Sequence, residues 1–152
     1  MKTLVLGVGN PILQDDGVGL HVIDELRRQL HDSNVVIDTA FTGGLNLLDL
    51  IRGYDNVIMV DAIKQEDSRA GEVKRFVLND QPTVHSSNPH DVSLSQALHL
   101  AQQLGDLSLP KNIVVIGIVV KNTLDFGESL SNEVQRAIPT AVHMVLSELK
   151  NT

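Results

Sequence analysis

The sequence predicts one α/β domain in which a mostly parallel sheet carries helices on both faces. Short aliphatic runs alternate with segments whose apolar residues recur at helical spacing, the pattern of a parallel sheet with crossover helices. Aromatic residues make up only 3% of the chain, so Val, Ile and Leu must form the core, as they do in buried parallel strands. With 152 residues, of which 42% are hydrophobic, we expect residues 1–152 to form a single domain.

The predicted elements follow the order β-α-β-α-β-β-α-β-α. The strands are short aliphatic runs bounded by Gly, Pro or polar residues, and we place them at residues 3–7, 35–40, 56–60, 72–78 and 112–120. The helices carry apolar residues three and four positions apart, and we place them at residues 17–30, 44–53, 91–104 and 131–150.

The third and fourth strands are joined without a helical pattern. This connection predicts that the fourth strand runs antiparallel at an edge of the sheet, and its mixed charges suit an edge position. We expect Asp91 or Ser93 to cap the third helix and Ser131 to cap the last one. Pro139 is expected to interrupt that last helix.

Composition excludes several classes of function. The formal net charge is −7 and does not suit binding of nucleic acid, so we expect no DNA or RNA partner. The absence of Cys removes disulfides and thiolate catalysis. We find neither a signal-peptide core nor a run of about 20 apolar residues, and therefore expect a cytoplasmic protein that is not bound to a membrane.

The first loop begins like a dinucleotide-binding motif. Gly7 and Gly9 have the required spacing, but Ile12 stands where a third Gly is needed, and Pro11 removes a backbone N–H donor. We therefore expect no nucleotide cofactor. The sequence also lacks the Gly-x-Ser-x-Gly motif of a serine hydrolase.

Three polar residues are expected at one edge of the sheet. In open α/β sheets the ligand crevice lies beyond the carboxyl ends of strands, where the strand order reverses. If the order begins 2-1-3, Asp16 follows the first strand and Asp61 ends the third, so the two carboxylates approach each other. His90, ahead of the third helix, would complete the cluster.

Two carboxylates and an imidazole suit a divalent first-row metal ion. Three protein ligands leave coordination positions open, as in sites that act on a substrate. Other interpretations stay open at this point, since Asp16 also fits a helix cap and His90 also fits a surface turn.

The chain resembles the hydrogenase maturation endopeptidases over nearly its full length. The resemblance rests on LVLGVGNPILQDDGVGLHV and NVIMVDAI, supported by TGGLNLLDLI, AGEV and NPHDVSL. It implies a three-layer α/β/α fold of the phosphorylase/hydrolase-like type. The implied sheet has five strands in the order 2-1-3-5-4, with the fourth strand antiparallel.

The same resemblance implies the substrate and the site. The partner would be the large-subunit precursor of a nickel–iron hydrogenase, whose C-terminal extension is removed after nickel insertion. Asp16, Asp61 and His90 would contact the nickel, which belongs to the substrate and is not a resident cofactor. Asp16 or Asp38 would activate the water, making the enzyme an aspartic-type peptidase, and we expect it to act as a monomer.

Two other functions are compatible with the sequence. A nickel-binding maturation adaptor would use the same three ligands without cutting its partner. Another hydrolase on this fold is the second alternative, because GVGNP also opens chains similar to peptidyl-tRNA hydrolases. The acidic charge argues against an RNA substrate for such an enzyme.

Overall fold

The structure is a computed structural model that describes residues 1–41, 45–78, 89–121 and 126–152. Within these ranges the side chains of residues 45, 46, 89–93 and 95 lie outside the description. Gly43 and Gly44, which we expected at the start of the second helix, therefore lie outside the described residues.

Five strands and four helices alternate along the described chain. The strands are β1 Thr3–Val8, β2 Val35–Ala40, β3 Asn56–Ile63, β4 Val73–Leu78 and β5 Asn112–Val119. The helices are α1 Val18–Gln29, α2 Leu45–Ile51, α3 Pro89–Gln103 and α4 Asn132–Lys150, and a 3-10 turn at Gln14–Gly17 precedes α1.

The strands form one sheet in the order β2-β1-β3-β5-β4. β2, β1, β3 and β5 are parallel, while β4 pairs antiparallel with β5 at the sheet edge. The predicted strand order and the antiparallel fourth strand are confirmed. Because β1 lies between β2 and β3, the chain reverses its direction of travel across the sheet beside β1, and the ligand crevice of this topology opens there.

Two apolar layers hold the helices against the sheet. On one face, buried residues of α1 and α4 pack against strand residues such as Val5 and Ile58. On the other face, buried residues of α2 and α3 pack against Leu6 and Met59. The aliphatic strands are thus buried on both sides, as the composition predicted for a three-layer α/β/α domain.

Two predicted boundaries are wrong in ways that bear on the site. β3 continues beyond Val60, because Asp61, Ala62 and Ile63 keep their ladder with β5. Asp61 therefore lies inside the strand, opposite Gly117, rather than at its end. The third helix begins at Pro89, so Asp91 and Ser93 lie within the helix and do not cap it.

The last helix is continuous through Pro139, contrary to our expectation. The ring of Pro139 is on the exposed face, and the flanking residues Ile138, Ala141 and Val142 are buried. Burial of that apolar face outweighs the one hydrogen bond that a proline removes from a helix. Ser131 occupies the N-cap position of α4, but its side chain makes no capping hydrogen bond to the helix.

Candidate active site

The loop after β1 is fastened to two distant segments. Gly9 N–H donates to the carbonyl of Ala40 at the end of β2, at 3.1 Å. Gly127 N–H donates to Ile12 O at 2.8 Å, and its own carbonyl accepts from Gln14 N–H at 2.9 Å. These bonds fix the path of the chain into the 3-10 turn that carries the Asp pair.

Gln14 has a backbone conformation that non-glycine residues seldom adopt. Its φ is +39°, in the left-handed region, immediately before Asp15 and Asp16. Such a conformation costs of order 1–3 kcal/mol and persists only where the surrounding structure imposes it. Strain of this kind clusters at functional sites, which supports a functional assignment for this turn.

Asp16 is half-buried and held by the backbone of its own loop. Its Oδ2 accepts the Asn10 N–H at 2.8 Å, and Asn10 Oδ1 accepts the Ile12 N–H at 3.1 Å. The bond from Asn10 orients the Asp16 carboxylate. Asp16 lies within the 3-10 turn, and α1 has no side-chain capping hydrogen bond at its start. This favours the interpretation of Asp16 as a metal ligand over its interpretation as a helix cap.

Asp15 has a structural partner that the sequence analysis missed. The side chain is buried, and its two oxygens accept the Ser131 N–H at 2.7 Å and the Ser131 Oγ–H at 2.8 Å. Ser131 therefore donates to Asp15 instead of capping α4. No local pattern signals this pair, because 116 positions separate the residues.

Asp61 is a fully buried carboxylate near the carboxyl end of β3. Strand alternation places it on the same face as Val57 and Met59, the face covered by α2 and α3. A buried carboxylate costs several kcal/mol unless hydrogen bonds or a cation compensate it. A carboxylate at such a position in an otherwise aliphatic strand is typical of functional sites.

Gly19 brings the turn and β3 together. A Cβ at Gly19 would overlap the carbonyl oxygen of Val60 and lie 2.8 Å from that of Val8. Only glycine lets the start of α1 approach both strands this closely. The 3-10 turn also packs against β3, so Asp16 and Asp61 lie at the same edge of the sheet, as predicted.

Asp38 lies two strands away from Asp61, on β2. It is exposed on β2, and its Oδ1 accepts the adjacent Thr39 N–H at 2.8 Å. In the strand register Leu6 is opposite both Asp38 and Met59. Two strand spacings of about 4.8 Å and two residue steps of about 3.3 Å then place the Asp38 and Asp61 Cα atoms roughly 12 Å apart.

His90 is the second residue of α3, and its side chain is outside the described residues. Arg52 and Gly53, which precede β3, bond to Asp106 and Ser108 after α3, so α3 ends at the amino edge of the sheet. A helix of 15 residues spans about 22 Å, and its first turn is therefore directed toward the carboxyl edge. This backbone position is compatible with the predicted cluster.

The described side chains do not by themselves form a complete metal site. Among them, no three His, Asp or Glu residues are grouped so that they could hold a metal ion. The described part of the site is a pair of carboxylates, Asp16 and Asp61, beside a strained turn. Such a pair can accept a proton from water or bind a cation that a substrate brings.

The fold is a three-layer α/β/α domain, and Asp16 and Asp61 lie near the switch point of its sheet. A family model for hydrogenase maturation proteases matches residues 20–148. The hydrogenase 2 maturation protease of Escherichia coli is 28% identical over all of this chain and 93% of its own length. The hydrogenase expression/formation protein HupD of Thiocapsa roseopersicina is 31% identical, over 97% of this chain and 67% of its own.

A solved structure supports the same relationship. The hydrogenase maturating endopeptidase HybD of Escherichia coli superposes with a TM-score of 0.86 at 26% identity, over 99% of this chain and 93% of that one. The chain belongs to the hydrogenase maturation protease family. It is therefore a peptidase, and the resemblance stated from the sequence is confirmed.

Proposed function

We propose that this protein removes the C-terminal extension of a nickel–iron hydrogenase large-subunit precursor after nickel has been inserted. The nickel belongs to the substrate and acts as the recognition element. The observation that carries the proposal is the placement of Asp16 and Asp61 at one edge of the sheet, where ligands bind in folds of this topology.

Asp16, Asp61 and His90 are the residues that would contact the substrate's nickel. Carboxylate and imidazole ligands suit a divalent first-row metal ion, and two carboxylates balance its charge. The buried position of Asp61 makes a cation from the substrate a strong stabilising partner, because charges attract more strongly away from water. A precursor without nickel would lack this attachment, and its tail would not be positioned for cleavage.

A carboxylate of this chain would activate the water molecule that attacks the peptide bond. Asp16 and Asp38 are the two candidates, and their positions favour Asp16. Asp38 is exposed, and the strand spacings separate its Cα from that of Asp61 by roughly 12 Å. Asp16 lies on a turn that packs against β3, and its orientation is fixed by the Asn10 N–H.

The peptide bond would then be hydrolysed by an aspartic-type mechanism. The water oxygen adds to the scissile carbonyl carbon while the carboxylate accepts a water proton. The carbon–nitrogen bond breaks, and the proton passes to the leaving amine. The products are the shortened large subunit with a new carboxyl terminus and the free extension peptide.

A cleavage assay on nickel-loaded and nickel-free precursors tests the proposal, with the products identified by mass spectrometry. We expect cleavage of the loaded precursor only. Equal cleavage of both forms would exclude nickel as the recognition element. Binding of the loaded precursor without any shortening would exclude the peptidase function for this substrate and favour a maturation adaptor.

Two further expectations belong to this proposal. No described helix is long and apolar enough to cross a bilayer. The cytoplasmic location and the monomeric state predicted from the sequence stay predictions, which cell fractionation and sedimentation analysis would test.

A further inference from the structure

Most aromatic side chains of a small domain pack in its core, but half of those in this chain do not. The sequence has three Phe and one Tyr and no Trp. Phe76 and Tyr54 pack against the apolar layer under α2 and α3. Phe41 and Phe126 are 62% and 78% exposed.

Both exposed rings lie beside the candidate active site. Phe41 directly follows Ala40, whose carbonyl accepts the Gly9 N–H of the site loop. Phe126 precedes Gly127, which bonds to Ile12 and Gln14 in the same loop. Ile12 itself is 51% exposed, and we call Ile12, Phe41 and Phe126 the apolar rim.

A groove lies between Phe41 of this rim and the carboxylate turn. The groove has a volume of about 360 Å³, and its walls include Pro11, Gly17, Phe41 and Glu128. Gly17 is the residue after Asp16, so the groove reaches the turn that carries the proposed catalytic residue. Polar side chains, among them Asp24 and Glu128, border its apolar part, as in many protein interfaces.

We infer that the apolar rim binds apolar side chains of the hydrogenase large-subunit precursor next to the bond that is cut. This inference rests on the proposed function and adds the surface that binds the substrate chain. Apolar patches at the surface mark interaction sites, whereas single exposed apolar residues need no explanation. Phe41 and Phe126 are not scattered over the surface, because the residues next to them both bond to the loop that carries Asp16. The continuity of the rim with the Asp16 turn identifies the substrate as the occupant.

Serine substitutions at the rim test the inference through binding and cleavage together. The probe is the nickel-loaded precursor, applied to the immobilised full-length protein. For Phe41→Ser and Phe126→Ser we expect the Kd to rise about five- to tenfold each, as for aromatic residues at the centre of interfaces. In the cleavage assay KM should rise by a similar factor, while kcat stays within about twofold because uniform binding is lost.

Leu107→Ser is the matched control. Leu107 is also an exposed apolar residue but lies after α3, toward the amino edge of the sheet, and its Kd and KM should not change. Thermal unfolding of each variant checks that the fold is intact.

The possible outcomes distinguish a failure of the inference about the rim from a failure of the proposed function. Precursor binding without cleavage would contradict the proposed function, and the rim would still be tested by the Kd values. Rim variants that bind as tightly as the wild type would overturn the inference, and so would a wild type that does not bind the loaded precursor. A wild-type dimer that the rim variants dissociate would assign the rim to a second copy of this chain and also overturn it.

Discussion

The amino edge of the sheet carries ion pairs between elements, whereas the carboxyl edge carries, besides the ion pair of Lys74 and Glu72, two Asp residues, a strained turn and exposed aromatic rings. Arg52 precedes β3 and Asp106 precedes β5. The Arg52 Nε lies 3.1 Å from the Asp106 Oδ2. At the same edge Arg75 of β4 pairs with Glu148 near the end of α4. The carboxyl edge has Gln14 at positive φ, the buried Asp61, and Phe41 exposed nearby.

Under the proposed function, the difference separates residues that stabilise the fold from residues that would act on the substrate. Each exposed ion pair contributes little to the free energy of unfolding, and it requires neither a strained backbone nor a buried charge. Backbone strain, carboxylate burial and exposed rings each carry a cost in stability, and they persist where function requires them. We therefore expect activity to depend on the carboxyl edge and only a weak contribution to stability from the amino edge.

The largest effect is expected for Asp16→Asn, which removes a charge from the carboxyl edge without changing its shape. Loss of a general base lowers kcat by about 10²- to 10⁴-fold. Precursor binding should weaken less than kcat falls, and the melting temperature should change little, because Asn keeps an oxygen that can accept the Asn10 N–H. Cleavage kinetics and calorimetry measure the two effects.

Asp38→Asn and Asp32→Asn serve as comparisons for that variant. Asp32→Asn, in the exposed turn before β2, should cut at the wild-type rate, because Asn keeps an oxygen that can accept the Asn34 N–H. A normal rate for Asp38→Asn would end its proposed catalytic role, and a rate as low as that of Asp16→Asn would assign water activation to both residues or to Asp38.

Gly19→Ala should destabilise the fold, because a methyl group at this position meets backbone atoms. The new Cβ would overlap the Val60 carbonyl, which cannot move aside cheaply. Alanine gains about 1 kcal/mol of helix propensity over glycine, so we expect a net loss of about 2 kcal/mol in the free energy of unfolding. Urea denaturation measures the loss.

Gly117→Ala is the control for a methyl group added within the sheet. Its Cβ would meet the Ile63 side chain, with the terminal methyl at 2.7 Å, and that group can move. A smaller loss, below about 1 kcal/mol, is expected. Equal losses at both positions would refute the close approach of α1 to β3 as the reason for Gly19.

Asp15→Asn tests whether the buried carboxylate only stabilises the turn. Asn presents one oxygen and an amide donor to Ser131, so one of the two Ser131 donors faces another donor. We expect a loss of about 2 kcal/mol in the free energy of unfolding, and a smaller loss of about 1 kcal/mol for Ser131→Ala.

Asp15→Asn and Asp16→Asn should change different properties, the first mainly stability and the second mainly kcat. If Asp15→Asn lowers kcat as much as Asp16→Asn does while leaving stability unchanged, its assignment as a structural residue is wrong. Cleavage assays run beside the urea denaturation series decide between the two assignments.

The smallest effect is expected at the amino edge, for Asp106→Asn. The pKa of Asp106 lies below its ordinary value, because the Ser108 hydroxyl and N–H donate to it and the Arg52 guanidinium attracts its charge. A lowered pKa stabilises the fold above the pKa of the unfolded chain, about 3.9, and this contribution is lost as the pH falls through the folded pKa.

The melting temperature of Asp106→Asn should thus be slightly below that of the wild type near pH 6. The gap should close as the pH falls below about 4, within the titration range of an Asp carboxyl. A gap that widens on acidification would contradict the direction of the shift.

The sequence predicted the strands better than the ends of elements. β2 was predicted with its observed bounds, because the polar segment 31–34 precedes its run and Gly43-Gly44 follow it closely in the sequence. The end of β3 was missed because Asp61 interrupts the apolar pattern, although the ladder with β5 continues past it. Pro139 was expected to break α4, since a single sequence does not show how well the helix face is buried.

For the candidate site, only the placement that follows from topology could be predicted. Asp16 and Asp61 lie at the same edge because the strand order 2-1-3 places β1 beside β3, so the turn after β1 packs against β3. The pair of Asp15 and Ser131 could not be predicted, because it joins residues 116 positions apart through side-chain geometry. The catalytic role predicted for Asp38 stays a prediction; the register places Asp38 opposite Leu6 on β2, two strands away from Asp61.

The bond between Asp15 and Ser131 also bears on the order in which the enzyme becomes competent. Contacts between residues far apart in sequence form slowly, because the chain between them must first be ordered. We therefore expect the Asp16 turn to acquire its final shape only when α4 has docked. A chain whose strands have paired but whose α4 has not docked would lack the bonds from Ser131 that hold Asp15, and with them the finished Asp16 turn.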